Sequence, residues 1–186
     1  MRNLVVNFLV NSLIESGSIE KEEKELYVFG VNQALLFLVN IVTTLGIGIL
    51  FDMLWQSLLF TVAYIPLRRY AGGYHAKTPQ ICYCFSILLT ICVLLSIKYI
   101  LWENIQIAVV LFISFMVIMK KAPVASENKP LELYEKKLYK IRARLILLVE
   151  IVVALLAKLF LAEVTICIVV AISCAAIMLL LPTRGK

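Results

Sequence analysis

At 186 residues, 62% hydrophobic and 16% charged, with a mean hydropathy of +0.97, the chain carries more apolar side chain than a soluble domain of its size can bury. This excludes a water-soluble globule, a disordered chain and a disulfide-stapled secreted domain, and points to one integral membrane domain over residues 1–186. The net charge of +6, from 18 Lys and Arg against 12 Asp and Glu, then bears on sidedness across a bilayer rather than on nucleic acid.

In residues 1–26, Asn3, Asn7, Asn11 and Glu15 recur every four positions, with Leu4, Val5, Phe8, Leu9 and Leu13 on the other side. That spacing predicts an amphipathic helix, lying in the membrane interface or packed on the rest of the protein. The Asn residues interrupt the apolar run and no small-residue cleavage site follows, so no cleavable signal peptide is expected.

Crossing a bilayer core of about 30 Å takes about 20 apolar residues in a helix. Six runs qualify: 27–51, 53–66, 81–97, 105–119, 145–161 and 164–181. The second is short and is expected to stop at Pro66; the fourth is short too. Glu150 and Lys158 interrupt the fifth, and charges in a span usually face a protein interior or water. The expected fold is all-α: a polytopic membrane helix bundle of about six transmembrane helices.

Sixteen of the 18 basic residues fall in residues 1–26, the 67–80 loop, the 120–144 loop and the tail; only Lys98 and Lys158 do not. With six spans those four segments share one side, which the positive-inside rule makes cytoplasmic, with both termini there. In the 120–144 loop, Leu131, Tyr134, Leu138 and Ile141 recur at three- and four-residue steps, while Lys136, Lys137, Lys140 and Arg144 fall largely off that stripe. This predicts a basic amphipathic helix running into the fifth span, suited to an acidic peptide or to a plain anchor on anionic lipid.

The 67–80 loop holds the only His of the chain, His75, and Cys82 follows seven residues later. Thr78 is the expected N-cap and Pro79 the first residue of the third span. Cys82 then lies in the first turn, where free N–H groups and the positive dipole end favour a thiolate and could steady an oxyanion. Gly72-Gly73 permits a sharp turn, or a close approach to a substrate, that would fold His75 back toward Cys82. A Cys–His pair suffices for nucleophilic catalysis, the His taking the thiol proton and returning it to the leaving amine. The competing reading is that Cys82, Cys84, Cys92, Cys167 and Cys174 are small hydrophobes of buried helices and that His75 is merely solvated. Cys84 is the rival nucleophile; at about 100° per residue it points some 200° away from Cys82, so only one of them faces His75. One His and no Cys-x-x-Cys or His-Glu-x-x-His motif leave too few ligands for a metal site, and no cofactor is expected.

The run Arg68 to Gly72-Gly73-Tyr74-His75-Ala76, with Cys82 seven residues past the His, resembles the accessory gene regulator B (AgrB) family of bacterial membrane peptidases. Ala122-Pro123 and Asn128-Lys129-Pro130-Leu131 resemble that family's second signature. The resemblance implies a cysteine endopeptidase in the cell membrane of a Gram-positive bacterium, with His75 and Cys82 catalytic at the cytoplasmic face. Its substrate would be an AgrD-like quorum-sensing propeptide. The thiolate would expel the C-terminal tail, and a Cys or Ser of the substrate would close the acyl-enzyme into a thiolactone or lactone. A homodimer is implied too. Family propeptides have an acidic tail, which Arg68, Arg69, Lys129, Lys136 and Lys137 could attract, with Gly72 and Gly73 shaping the loop. Glu127, Asn128, Gln80 and Ser86 are candidates to orient His75. Two other function classes compete: a small peptide transporter with Glu150 and Lys158 lining a path, and a docking scaffold without catalysis.

Overall fold

Each of the six apolar runs is carried by its own helix. The structure, a computed structural model, describes residues 2–17, 19–74, 78–124 and 132–181. Among these are seven α-helices and no strand: α1 Arg2–Glu15, α2 Lys24–Leu50, α3 Leu54–Ala71, α4 Pro79–Tyr99, α5 Asn104–Lys121, α6 Leu133–Ala157 and α7 Ala162–Leu180. The helices α2, α4, α5 and α7 are long and apolar enough to cross a membrane. Charges lie within the other two: Arg68 and Arg69 in the last turn of α3, and a basic first half plus Glu150 in α6. Local chemistry starts the helices where it should. The Thr78 hydroxyl accepts Ile81 N–H at the head of α4, and Gln106 and Glu135 reach back to the Glu103 and Glu132 N–H groups at the heads of α5 and α6.

The chain divides into two units, Met1–Thr43 and Thr44–Lys186. In the first, Val6, Val10 and Ile19 are buried against Ile14, Val28, Val31 and Leu35. The buried stripe of α1 is therefore Val6–Val10–Ile14, at four-residue steps. Phe8, Leu9 and Leu13, on the face expected to be apolar, stay exposed.

In the second unit α7 is the axis. It packs against α3, α5 and α6, and α4 stands beside α3 and α7. Its small residues Ala171, Cys174, Ala175 and Ala176 are buried and let the neighbouring backbones come close. A smaller cluster of Ile47, Met53 and Leu94 ties the end of α2 to the starts of α3 and the last turns of α4. The α2–α3 link is tight: Asp52 has φ +56, Met53 N–H donates to Gly48 O at 2.7 Å, and a Cβ on Gly48 would overlap the Ser57 hydroxyl.

One boundary differs from expectation. α3 does not stop at Pro66 but continues to Ala71, so Arg68, Arg69 and Tyr70 are helical and the loop shrinks to its glycine end. An interior Pro forfeits one helical bond and costs roughly 3 kcal/mol in water. Here Leu67 and Ala71, both with 0% exposure, bury the following turn in the core and keep the helix going. Helices of membrane proteins tolerate such prolines when packing supports them.

Candidate functional site

The last turns of α3, α5 and α7 and the first half of α6 meet at one end of the second unit. Val124, just past α5, donates its N–H to Ala71 O at 3.0 Å, and Tyr74 donates to Met178 O of α7 at 2.9 Å. From α6, Arg142 donates to the Tyr70 hydroxyl at 3.4 Å and lies over its ring at 5.4 Å, with Tyr139 edge-on at 5.4 Å. Arg144 donates to Met119 O at 3.2 Å. Arg68, Arg69, Lys120, Lys121, Arg142 and Arg144 thus gather at one end. The opposite end joins Gln56 to Glu163 at 3.4 Å.

Between α3 and α4 the chain makes a turn that only glycines can make. Gly72 has φ +75 and Gly73 φ +111. A Cβ on Gly72 would fall on the Val124 carbonyl, and one on Gly73 would come within 2.6 Å of Met178 O. The close approach these glycines permit is thus to the protein's own backbone, in the segment just past α5 and in α7. Arg68 locks the turn from below: its two terminal nitrogens donate to Gly72 O and to Tyr74 O. Both arms of the fork are committed inside the protein, so Arg68 holds the turn, whereas Arg69, Lys136 and Lys137 are exposed to the surroundings. Lys cannot reproduce a planar fork. Arg68→Lys is expected to lower the thermal unfolding midpoint in detergent by several degrees, read by tryptophan fluorescence, and an unchanged midpoint would deny the clamp.

The turn is aimed at one face of α4. The Tyr74 ring meets that of Phe85 at 6.0 Å. Phe85 is three residues past Cys82, on the same side of the helix, and Cys84 is about 100° round from it. The residue that precedes His75 therefore lies on the Cys82 side of α4. Cys82 is half-buried in the first turn, and Cys84 is exposed. Tyr64, one turn before Arg68 on α3, is stacked on Phe60 at 5.2 Å.

Fewer first-turn donors are open than expected. Pro79 has no N–H, Ile81 N–H goes to the Thr78 hydroxyl at 3.3 Å, and Cys82 N–H goes to the Thr78 carbonyl at 3.1 Å. Gln80 is the first-turn residue whose N–H has no partner among the described residues. Ser86 donates to Cys82 O at 3.0 Å and is spent locally. The Thr78 cap holds this turn, so Thr78→Ala should cost about 1 kcal/mol of stability, read by thermal unfolding, while leaving the thiol in place.

His75, Glu127, Asn128 and Lys129 lie outside the described residues. Among those described, no group of three or more His, Cys, Asp or Glu could hold a metal ion. Glu150 is buried with one carboxylate oxygen unpartnered, while Lys158 is exposed at the end of α6, bordering a cavity that Glu150 does not line. The two charges do not line this cavity together. Tyr64, Tyr70 and Met178 escaped the reading of the sequence. The four-residue step from Tyr64 to Arg68 was the one local signal; nothing near Met178 announces its carbonyl.

A family profile described as "Accessory gene regulator B" matches residues 4–179. Among curated proteins, a "Putative AgrB-like protein" of Clostridium perfringens (strain SM101 / Type A) is 27% identical over 125 residues, 63% of this chain and 58% of that protein. An "Accessory gene regulator protein B" of Staphylococcus lugdunensis is 28% identical over 117 residues, 63% of this chain and 62% of that one. Another of that name, from Staphylococcus haemolyticus (strain JCSC1435), is 26% identical over 126 residues, 64% of each. The chain thus spans under two thirds of the length of these relatives. No solved structure matches.

Proposed function

The chain belongs to the accessory gene regulator B family, and from that premise we propose that it is a membrane-embedded cysteine endopeptidase of a quorum-sensing system. Its substrate is an AgrD-like propeptide, from which it removes the C-terminal tail before the remainder closes into a ring. Cys82 is the nucleophile and His75 its base. Six helices span the membrane, and the basic end of the bundle, with both termini, faces the cytoplasm.

The chemistry follows from the two groups. His75 takes the Cys82 proton, and the thiolate sulfur attacks the carbonyl carbon of the scissile peptide bond. The tetrahedral oxyanion collapses, the C–N bond breaks, and His75 returns the proton to the departing amine of the tail. The acyl-enzyme is a thioester. A thiol or hydroxyl within the bound propeptide then attacks that carbonyl and regenerates Cys82, giving a thiolactone or lactone. A tethered nucleophile competes well with water because its effective concentration is high and the site lies at a membrane boundary. Arg69, Lys136 and Lys137, exposed at the same end, supply a field that draws an acidic tail.

One observation carries the reading: the Tyr74–Phe85 contact, which delivers the residue before His75 to the Cys82 face of α4. The test is direct. The purified chain in lipid nanodiscs, mixed with a synthetic propeptide, should yield free tail and a mass increment on the protein that hydroxylamine removes. A tail released without any thioester on the protein would reject the acyl-enzyme.

A further inference from the structure

The groove between α5, α6 and α7 has no part in the proposed chemistry. We propose that it is a binding site for one anionic phospholipid, with an acyl chain along the groove and the phosphate at Lys158. Three observations meet here. The groove encloses about 390 Å³ and is walled by apolar side chains, among them Leu111, Phe112, Phe115, Leu148, Ile151 and Leu155. The Thr165 hydroxyl in its wall is already spent, donating to Ala154 O at 3.0 Å.

The polar groups stand together at one end. Asn104, the first residue of α5, and Lys158, which caps the C-terminus of α6, both line the groove, and both are exposed. Among the described residues Lys158 has no carboxylate partner. One end therefore offers an ammonium and an amide, and the rest offers hydrocarbon.

The depth is the third observation. From Asn104 to Phe115 the lining runs 11 residues along α5. At 1.5 Å per residue this is about 16 Å, close to half of a bilayer core of about 30 Å. The groove is one leaflet deep and starts at the helix ends, where a headgroup lies. A peptide strand would leave its amide groups unpaired against this wall, whereas an acyl chain has none to satisfy. Glu103, beside Asn104, and Glu163, in the first turn of α7, stand at the same end, so the preference for an anionic headgroup rests on the Lys158 ammonium alone.

The test uses the full chain in nanodiscs of equal parts phosphatidylglycerol and phosphatidylcholine, followed by gentle release and native mass spectrometry. The protein should retain one phosphatidylglycerol in preference to phosphatidylcholine. Lys158→Gln, at an exposed helix end where folding tolerates it, should cut that preference about fivefold, the usual worth of one basic residue at a membrane surface. Ala108→Trp, which fills the groove, should lower retention of both lipids. Equal retention of the two lipids, no retained lipid, or an unchanged preference in Lys158→Gln overturns the proposal, as does a second copy of the chain or a peptide retained in the lipid's place.

Discussion

Replacing Cys82 by Ala is expected to abolish tail release, by roughly a thousandfold or more, because the thioester cannot form without the sulfur. Cys84→Ala should keep most of the activity. The two thiols are two residues apart on α4, and composition cannot separate them. The Tyr74–Phe85 contact favours Cys82 in the proposed mechanism, since Phe85 lies nearer to Cys82 than to Cys84 round the helix. The measurement is the rate of tail release in nanodiscs, with each variant's unfolding midpoint as the control. The reverse result, with Cys84→Ala dead and Cys82→Ala active, would move the nucleophile. Activity surviving the double variant would end the cysteine mechanism.

Gly73→Ala is expected to be the most damaging change that touches no reactive atom. At φ +111 an L side chain is strained, at a cost of about 1–2 kcal/mol. The new methyl would also press on Met178 O at 2.6 Å, and that oxygen already accepts Tyr74 N–H. The turn must then shift, and with it the segment leading to His75. A displacement of about an ångström costs roughly a hundredfold in rate. The unfolding midpoint should fall as well. Gly46→Ala is the matched control: its Cβ meets nothing within 4 Å, and α2 should gain slightly from the better helix former. If Gly73→Ala cleaves propeptide at the normal rate, the turn does not position the site.

The helices were legible because apolar runs of spanning length leave little choice, and Thr78-Pro79 marks the head of α4 as plainly as any cap can. The extension of α3 through Pro66 was not. Its support comes from the burial of Leu67 and Ala71 in a core assembled from distant segments, and local propensity speaks against it. The buried stripe of α1 was not legible for a related reason: Asn3, Asn7 and Asn11 mark a polar stripe, while Val6 and Val10 find their partners in α2. Of the site, the Cys, the His and the glycine pair stood out by residue type and spacing. What the glycines approach did not, since Val124 and Met178 lie about fifty and a hundred residues further on, and although Val124 follows Ala122-Pro123, nothing local marks either carbonyl as a neighbour of the turn. Arg68 drew attention as a positive charge, and its work in the fold is to hold two carbonyls.

The bond from Tyr74 to Met178 also sets a timetable. About a hundred residues must be synthesised after Tyr74 before its acceptor exists, which at 5–20 residues per second takes roughly 5 to 20 s. Until the seventh helix enters the membrane, the glycine turn lacks one of its walls. In the proposed mechanism a nascent chain therefore carries its thiol through the ribosome and the insertion machinery unarmed until α7 is in place.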